Sequence, residues 1–215
     1  MRECCHPPRS NISKYDILYL ETAMQTIETS KLEYAPIFVT AKGAKQLPIL
    51  YTNGETVVWQ PNDFMEIHFE PSAYNDPSRE ANRVTLCVTP SEAVCETISA
   101  LDEWCIQTLS SNPVPLLGLQ LTPDQIRERF VSCLKTSEKG YKTLRMKMSK
   151  SGRYALQCYN TDKEKREHPD NWRGCSIQPR ISLKGLYLMG RDMGPIFECT
   201  HVLLRESAGD ECPFV

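Results

Sequence analysis

The chain has 215 residues, 25 Lys and Arg against 27 Asp and Glu, 40% hydrophobic residues and a mean hydropathy of −0.41. That length can bury one substantial core, and no run approaches the roughly 18 apolar residues of a membrane span, so a soluble globular protein is expected and a membrane protein is not. Residues 1–11 hold charges, cysteines and two prolines but no apolar stretch of a secretory signal, and the ten cysteines are scattered without tight pairing, which favours reduced thiols in a cytosolic or nuclear compartment over a disulfide-rich secreted module.

From the N-terminus, residues 1–11 read as disordered, and residues 11–30 carry Tyr15, Ile17, Leu18, Leu20 and Met24 at a spacing that fits either a short strand or a helix. Residues 32–40 read as a strand broken by Pro36 and hence near a sheet edge. Residues 46–51 and 55–60 flank Thr52-Asn53-Gly54, and Asn-Gly between two apolar runs is a hairpin signal because both central turn positions favour positive φ. A strand over 64–69, a polar loop over 71–82 and a strand over 83–88 with Val84, Leu86 and Val88 alternating come next.

Two helices follow. Thr89-Pro90-Ser91-Glu92 supplies a capping hydroxyl, a proline at the first helical position and a carboxylate at the third, with Val94, Ile98, Leu101, Cys105 and Leu109 on one face of a helix over 90–109. Thr122-Pro123-Asp124-Gln125 repeats this grammar, and Ile126, Phe130, Cys133 and Leu134 predict a second helix running to about Lys135, after a loop over 110–121.

Four strands are then expected, over 141–149, 153–159, 176–189 and 196–204. In the first, Leu144, Met146 and Met148 alternate with Thr143, Arg145 and Lys147, so one face is apolar and the other cationic. In the second, Leu156 and Cys158 oppose Arg153, Gln157 and Tyr159. The third sets Ile177, Ile181 and Leu183 against Gln178, Arg180, Ser182 and Lys184, with a bend at Gly185. Gly194-Pro195 reads as the turn before the last, in which Phe197, Cys199 and Leu203 alternate with Glu198, Thr200 and Val202. The pattern predicts a mainly β fold with two helices, built on a small barrel, as one domain over 12–205.

The overall charge of −2 conceals a segregation: residues 127–191 hold 16 Lys and Arg against 6 Asp and Glu, while the rest of the chain holds 9 against 21. A positive field over one half attracts phosphate backbones, although cation-rich loops also serve simply as solvated surface. Catalytic groupings are not apparent. His6, His68, His168 and His201 lie in unrelated settings, with no G-x-S-x-G elbow and no phosphate-binding glycine loop. Cys4-Cys5-His6 and the set Cys158, His168 and Cys175 match no common zinc spacing, so neither a metal nor a cofactor is expected. His201 reads as a core histidine.

Binding of single-stranded nucleic acid needs cations that follow the phosphates and aromatic faces on which bases stack. Here Lys163, Lys165, Arg166 and Arg173 occupy a polar loop over 160–174 with one large aromatic, Trp172, that has little core to join. Tyr159 stands at the loop's entrance, and Arg145, Lys147, Lys150, Arg153, Arg180 and Lys184 supply further cations. Tyr154 and Tyr187 fall on apolar parity and read as core, as do Trp59 and Trp104, while Tyr141 is ambiguous.

The element order over residues 83–215, with the stretches RVTLCVTPSEAVCETISALDEWC and PRISLKGLYLMGRDMGPIFECTHVLL, resembles the OB-fold single-stranded DNA-binding proteins of tailed phages and large DNA viruses. The resemblance implies an OB-like five-stranded barrel, elaborated here by the N-terminal β-hairpin region, whose basic and aromatic groove binds single-stranded DNA without catalysis during replication or recombination. It also implies a tail, 206–215, whose Asp210, Glu211 and Phe214 contact replication proteins; this tail is short and ends in valine, which departs from the family's terminal aromatic. A homo-oligomer is compatible with this reading. An RNA-binding or structural protein-interaction module using the same basic face is the alternative.

Overall fold

The computed structural model describes residues 26–41, 43–73 and 81–205. Residues 1–11, most of 11–30, the centre of the 71–82 loop and the tail with Asp210, Glu211 and Phe214 lie outside the described residues.

Prolines punctuate the first strands. β1 (Leu32–Tyr34) and β2 (Phe38–Val39) are separated at Pro36, and β3 (Lys45–Leu47) and β4 (Ile49–Tyr51) at Pro48, because proline cannot donate to a ladder. β1 and β4 pair antiparallel as a two-stranded sheet of their own. The turn after β4 closes with Gly54 N–H donating to Tyr51 O at 2.7 Å and Tyr51 N–H to Glu55 O at 2.9 Å. Only Gly54 takes positive φ, at +81°, whereas Asn53 contributes its side chain, accepting from Glu55 N–H at 3.0 Å. The turn therefore differs from the tight type expected: Thr56 meets Leu50 of β4 in a single bridge, and β5 (Val57–Trp59), which follows, pairs elsewhere. β6 (Met65–Ile67) and β7 (Arg83–Thr89) follow.

The helical section departs from expectation at its ends. α1 (Glu92–Ser111) is capped by Ser91 rather than Thr89, with Ser91 Oγ accepting from Val94 N–H at 3.4 Å and donating to Asp63. The expected loop contains α2 (Pro113–Leu117), so the described residues hold three α-helices. α3 (Pro123–Arg129) has the expected capping box, Thr122 Oγ1 and Gln125 each satisfying the other's backbone N–H at 3.2 and 3.0 Å. It stops at Arg129, six residues short of the expected end, because Phe130 bridges Met193 and residues 134–136 become a strand, β8 (Leu134–Thr136).

β9 (Lys142–Ser149) shows the expected alternation, with Leu144, Met146 and Met148 buried. β10 (Gln157–Tyr159) is shorter than expected and β11 (Lys165–Arg166) is new. β12 (Ser176–Met189) and β13 (Asp192–Arg205) form a long hairpin, so Gly194-Pro195 lies inside a strand and the turn is Gly190-Arg191, with Gly190 at φ +61°. Gly185 is required where β12 crosses β3: it takes φ +123°, and a Cβ there would stand 2.2 Å from Leu47 O.

The pairings close. β6 joins β7, β7 joins β9, β9 joins β13 in parallel, β13 joins β12, and β12 returns to β6. This ring of five strands is the OB-like barrel, and the fold is mainly β. The distal half of β12 also carries β3 and then β2, so the N-terminal region extends the barrel's own sheet. Leu86, Leu144, Ile177 and Phe197 fill the interior, and Ile98, Leu101 and Leu109 of α1 join the same hydrophobic cluster. Trp59 and Phe197 meet at 6.5 Å with ring planes tilted by 54°. Cys95, Cys105, Cys158, Cys175 and Cys199 are buried free thiols, small apolar fillers in this core. Among the described residues no helix is long and apolar enough to cross a membrane, and no group of three His, Cys, Asp or Glu could hold a metal ion.

Candidate nucleic-acid interface

The alternation that buries Val84, Leu86 and Val88 sends Thr85 and Cys87 to the outer face of β7, and register sets them opposite Lys147 and Arg145 of β9. Lys147 Nζ donates to Thr85 Oγ1 at 2.8 Å, and partial burial, then the nearby Arg83, hold its ammonium below the usual lysine range. Lys147 is thus a fixed, partly desolvated cation whose attraction for an anion is screened less than that of a free surface lysine.

Residues 131–135 flank β9 on the side away from β7, with Lys135 opposite Thr143 and Arg145 N–H donating to Cys133 O at 3.0 Å. Val131 N–H donates to Met193 O at 2.7 Å, and a Cβ on Gly194 would stand 2.1 Å from Val131 O and 3.1 Å from Tyr187 Cε1. Only glycine permits this crossing. β7, β9 and residues 131–135 border a groove of about 510 Å³. Lys135, Arg145 and Lys147 line it together with apolar surface from Tyr187, Ile196 and Phe197. Tyr187 is half-buried, with its hydroxyl pushed up chiefly by burial. Within this segment Cys133 donates to Pro195 O at 3.0 Å and is pushed up to about 12 by burial, while burial raises Asp102 of α1 to about 6 against the lowering effect of a hydrogen bond with Ser132.

Glu198 is the counter-ion of this face. It lies opposite Lys147 in register and pairs with Lys184 at 3.4 Å and Arg83 at 3.7 Å. The arrangement is a trough lined by three cations and an aromatic ring. It can neutralise phosphates and shelter a flat apolar group.

No family model matches the chain, and neither does any curated protein sequence. Among solved structures it is similar to the single-stranded DNA-binding protein from bacteriophage Enc34, with 15% identity over 84% of this chain and 95% of that one and a TM-score of 0.43. The same phage protein in complex with ssDNA aligns over 80% of this chain and 95% of that one, at 14% identity and a TM-score of 0.44. Gp2.5, a single-stranded DNA-binding protein encoded by bacteriophage T7, aligns over 71% of this chain and 88% of that one, at 14% identity and a TM-score of 0.47. Likeness at this level says nothing of what this chain binds.

Of the residues singled out in the sequence, the groove brings together Arg145 and Lys147. Trp172 is not a free stacking surface: it is 6% exposed, joins the core, and meets His168 edge-on at 5.8 Å. Its backbone N–H and that of Arg173 both donate to Glu70 Oε1, at 2.7 and 3.0 Å, pinning the loop to the barrel. Arg180 is likewise 8% exposed instead of lining a cationic face. Lys184 is engaged by Glu198, and Tyr159 stacks on His201 at 6.2 Å. Lys163, Lys165 and Arg166 are exposed on the β10–β11 hairpin at the sheet's edge, and Lys150 and Arg153 sit in or beside the turn after β9. Tyr154, expected in the core, is 74% exposed with Arg153 over its ring at 5.7 Å.

Sequence reasoning missed Lys135, assigned to a helix, and Tyr187, assigned to the core. Tyr187 was legible only in part: it has the parity of Gly185 and Ile181, but the bulges flanking Ser182 break the alternation before it.

Proposed function

We propose that this chain binds single-stranded DNA, largely independently of sequence, and coats and protects unpaired DNA during replication or recombination. The observation that carries the reading is the β7–β9 groove, lined by the cations Lys135, Arg145 and Lys147 and by the ring of Tyr187. Phosphates take the cations and an unpaired base takes the tyrosine face; the bases of a duplex are already stacked and cannot reach it. Lys163, Lys165, Arg166 and Arg173 extend the positive field. Binding and release make and break no covalent bond.

The test is the double substitution Arg145→Ala/Lys147→Ala in the full chain. Single-strand affinity falls, and the slope of log affinity against log salt becomes shallower by about 0.7 for each phosphate contact removed, with thermal stability little changed. An unchanged slope on a folded variant contradicts the placement of DNA in this groove.

A further inference from the structure

The line of side chains that starts in the groove continues past the barrel. Tyr187 of β12 is opposed by Gly194 of β13 on one side and Gln46 of β3 on the other, and Gln46 is opposed by Phe38 of β2. Residues directly opposed in antiparallel strands project from the same face of a sheet. Tyr187, Gln46 and Phe38 therefore form one row, on the side away from Leu186 and Leu47, which are buried in the core. Two strand spacings put Phe38 about 10 Å from Tyr187.

Phe38 is 46% exposed on a two-residue strand at the end of the sheet. Lys45, the neighbour of Gln46 on β3, projects from the opposite face of the sheet, beside Leu188, and Arg191 is exposed at the tip of the β12–β13 hairpin, four residues along the chain from Tyr187. The row thus sets a second, exposed aromatic ring in register with the groove's own.

We infer that the single-stranded path leaves the groove at Tyr187 and crosses the β3–β2 extension, where Phe38 is a second platform on which an unpaired base stacks. This rests on the single-strand reading of the groove and extends it to a surface outside the barrel. The occupant is a single strand because the row is continuous in register with the cationic groove, so a strand whose phosphates are held by Arg145 and Lys147 and which passes Tyr187 meets Phe38 next. Gln46, between the two rings, offers amide groups to the sugar or a base edge.

The experiment compares the full chain with Phe38→Ala and Phe38→Trp, using labelled oligothymidylate of about 5 and about 15 nucleotides, lengths that bracket the range one OB fold occupies. The 15-mer loses at least about fivefold in affinity with Phe38→Ala, the loss of one stacked base, and recovers with Phe38→Trp, while the 5-mer stays within about twofold. Equal affinity of the wild-type chain and Phe38→Ala for both lengths overturns the inference while leaving the groove intact. So does a Phe38→Ala variant that loses self-association without losing affinity, which would make β2 an edge for a second copy. Failure of the wild-type chain to bind either length removes the single-strand reading itself and the inference with it.

Discussion

At the scale of single residues, burial decides what the chemistry can be. Trp172 looks in the sequence like an exposed stacking ring because its neighbours are polar, yet its backbone is tied to Glu70 and its ring lies in the core beside His168. Trp172→Ala is therefore expected to cost about 3–5 kcal/mol of stability, read as a lowered denaturation midpoint, as for other large buried aromatics. A stable Trp172→Ala variant with weakened DNA binding would contradict this placement. Asp102 carries a pH signature. Its carboxyl, raised by burial to about 6, binds a proton more tightly folded than unfolded, where the value is about 3.9. Stability from this group is fully present below pH ~4 and falls as pH rises through ~6. Asp102→Asn is expected to remove that dependence, so its gain in Tm over the wild-type chain is larger at pH 8 than at pH 4.5; an equal difference at both pH values would show that Asp102 does not titrate in this window.

At the scale of elements, what was legible follows from period, and what was not follows from pairing. Strands β7 and β9 are written in local alternation and the start of α3 in its capping box, and Arg145 and Lys147 came with β9 because one strand's parity settles which side chains face outward. The end of α3 was not legible: Phe130, Cys133 and Leu134 suit a helical stripe, and only the partners Met193 and β9 turn that stretch into the wall that places Lys135. The Gly194-Pro195 turn signal failed for a related reason. Gly194 serves a close approach by Val131 inside a strand, and the local sequence reads identically for either use. Gly194→Ala tests this directly. It is expected to lower Tm and to weaken single-strand binding together, because the 131–135 wall must move, whereas Gly190→Asn, at a turn position open to solvent with φ +61°, is expected to leave both nearly unchanged. Retention of full affinity by a folded Gly194→Ala variant would show that the wall does not shape the site.

At the scale of the whole molecule, closure of β12 on both β6 and β13 makes the barrel, and the same β12 carries the N-terminal strands outward. The mainly β class and the segregation of charge were readable from the chain. That the N-terminal region continues the barrel's sheet was not, because a strand of two or three residues has no pattern that names a partner 140 residues away, as Gln46 and Tyr187 are in effect. The central claim is that cations on this sheet hold an unpaired strand. It is tested most directly by fluorescence anisotropy with single-stranded DNA, duplex DNA and RNA of equal length, titrated across salt. The account predicts tightest binding to single-stranded DNA, weakening steeply and linearly in log salt. Equal affinity for duplex, or absence of single-strand binding at low salt, would contradict it, and tighter binding to RNA would reassign the same groove to an RNA ligand.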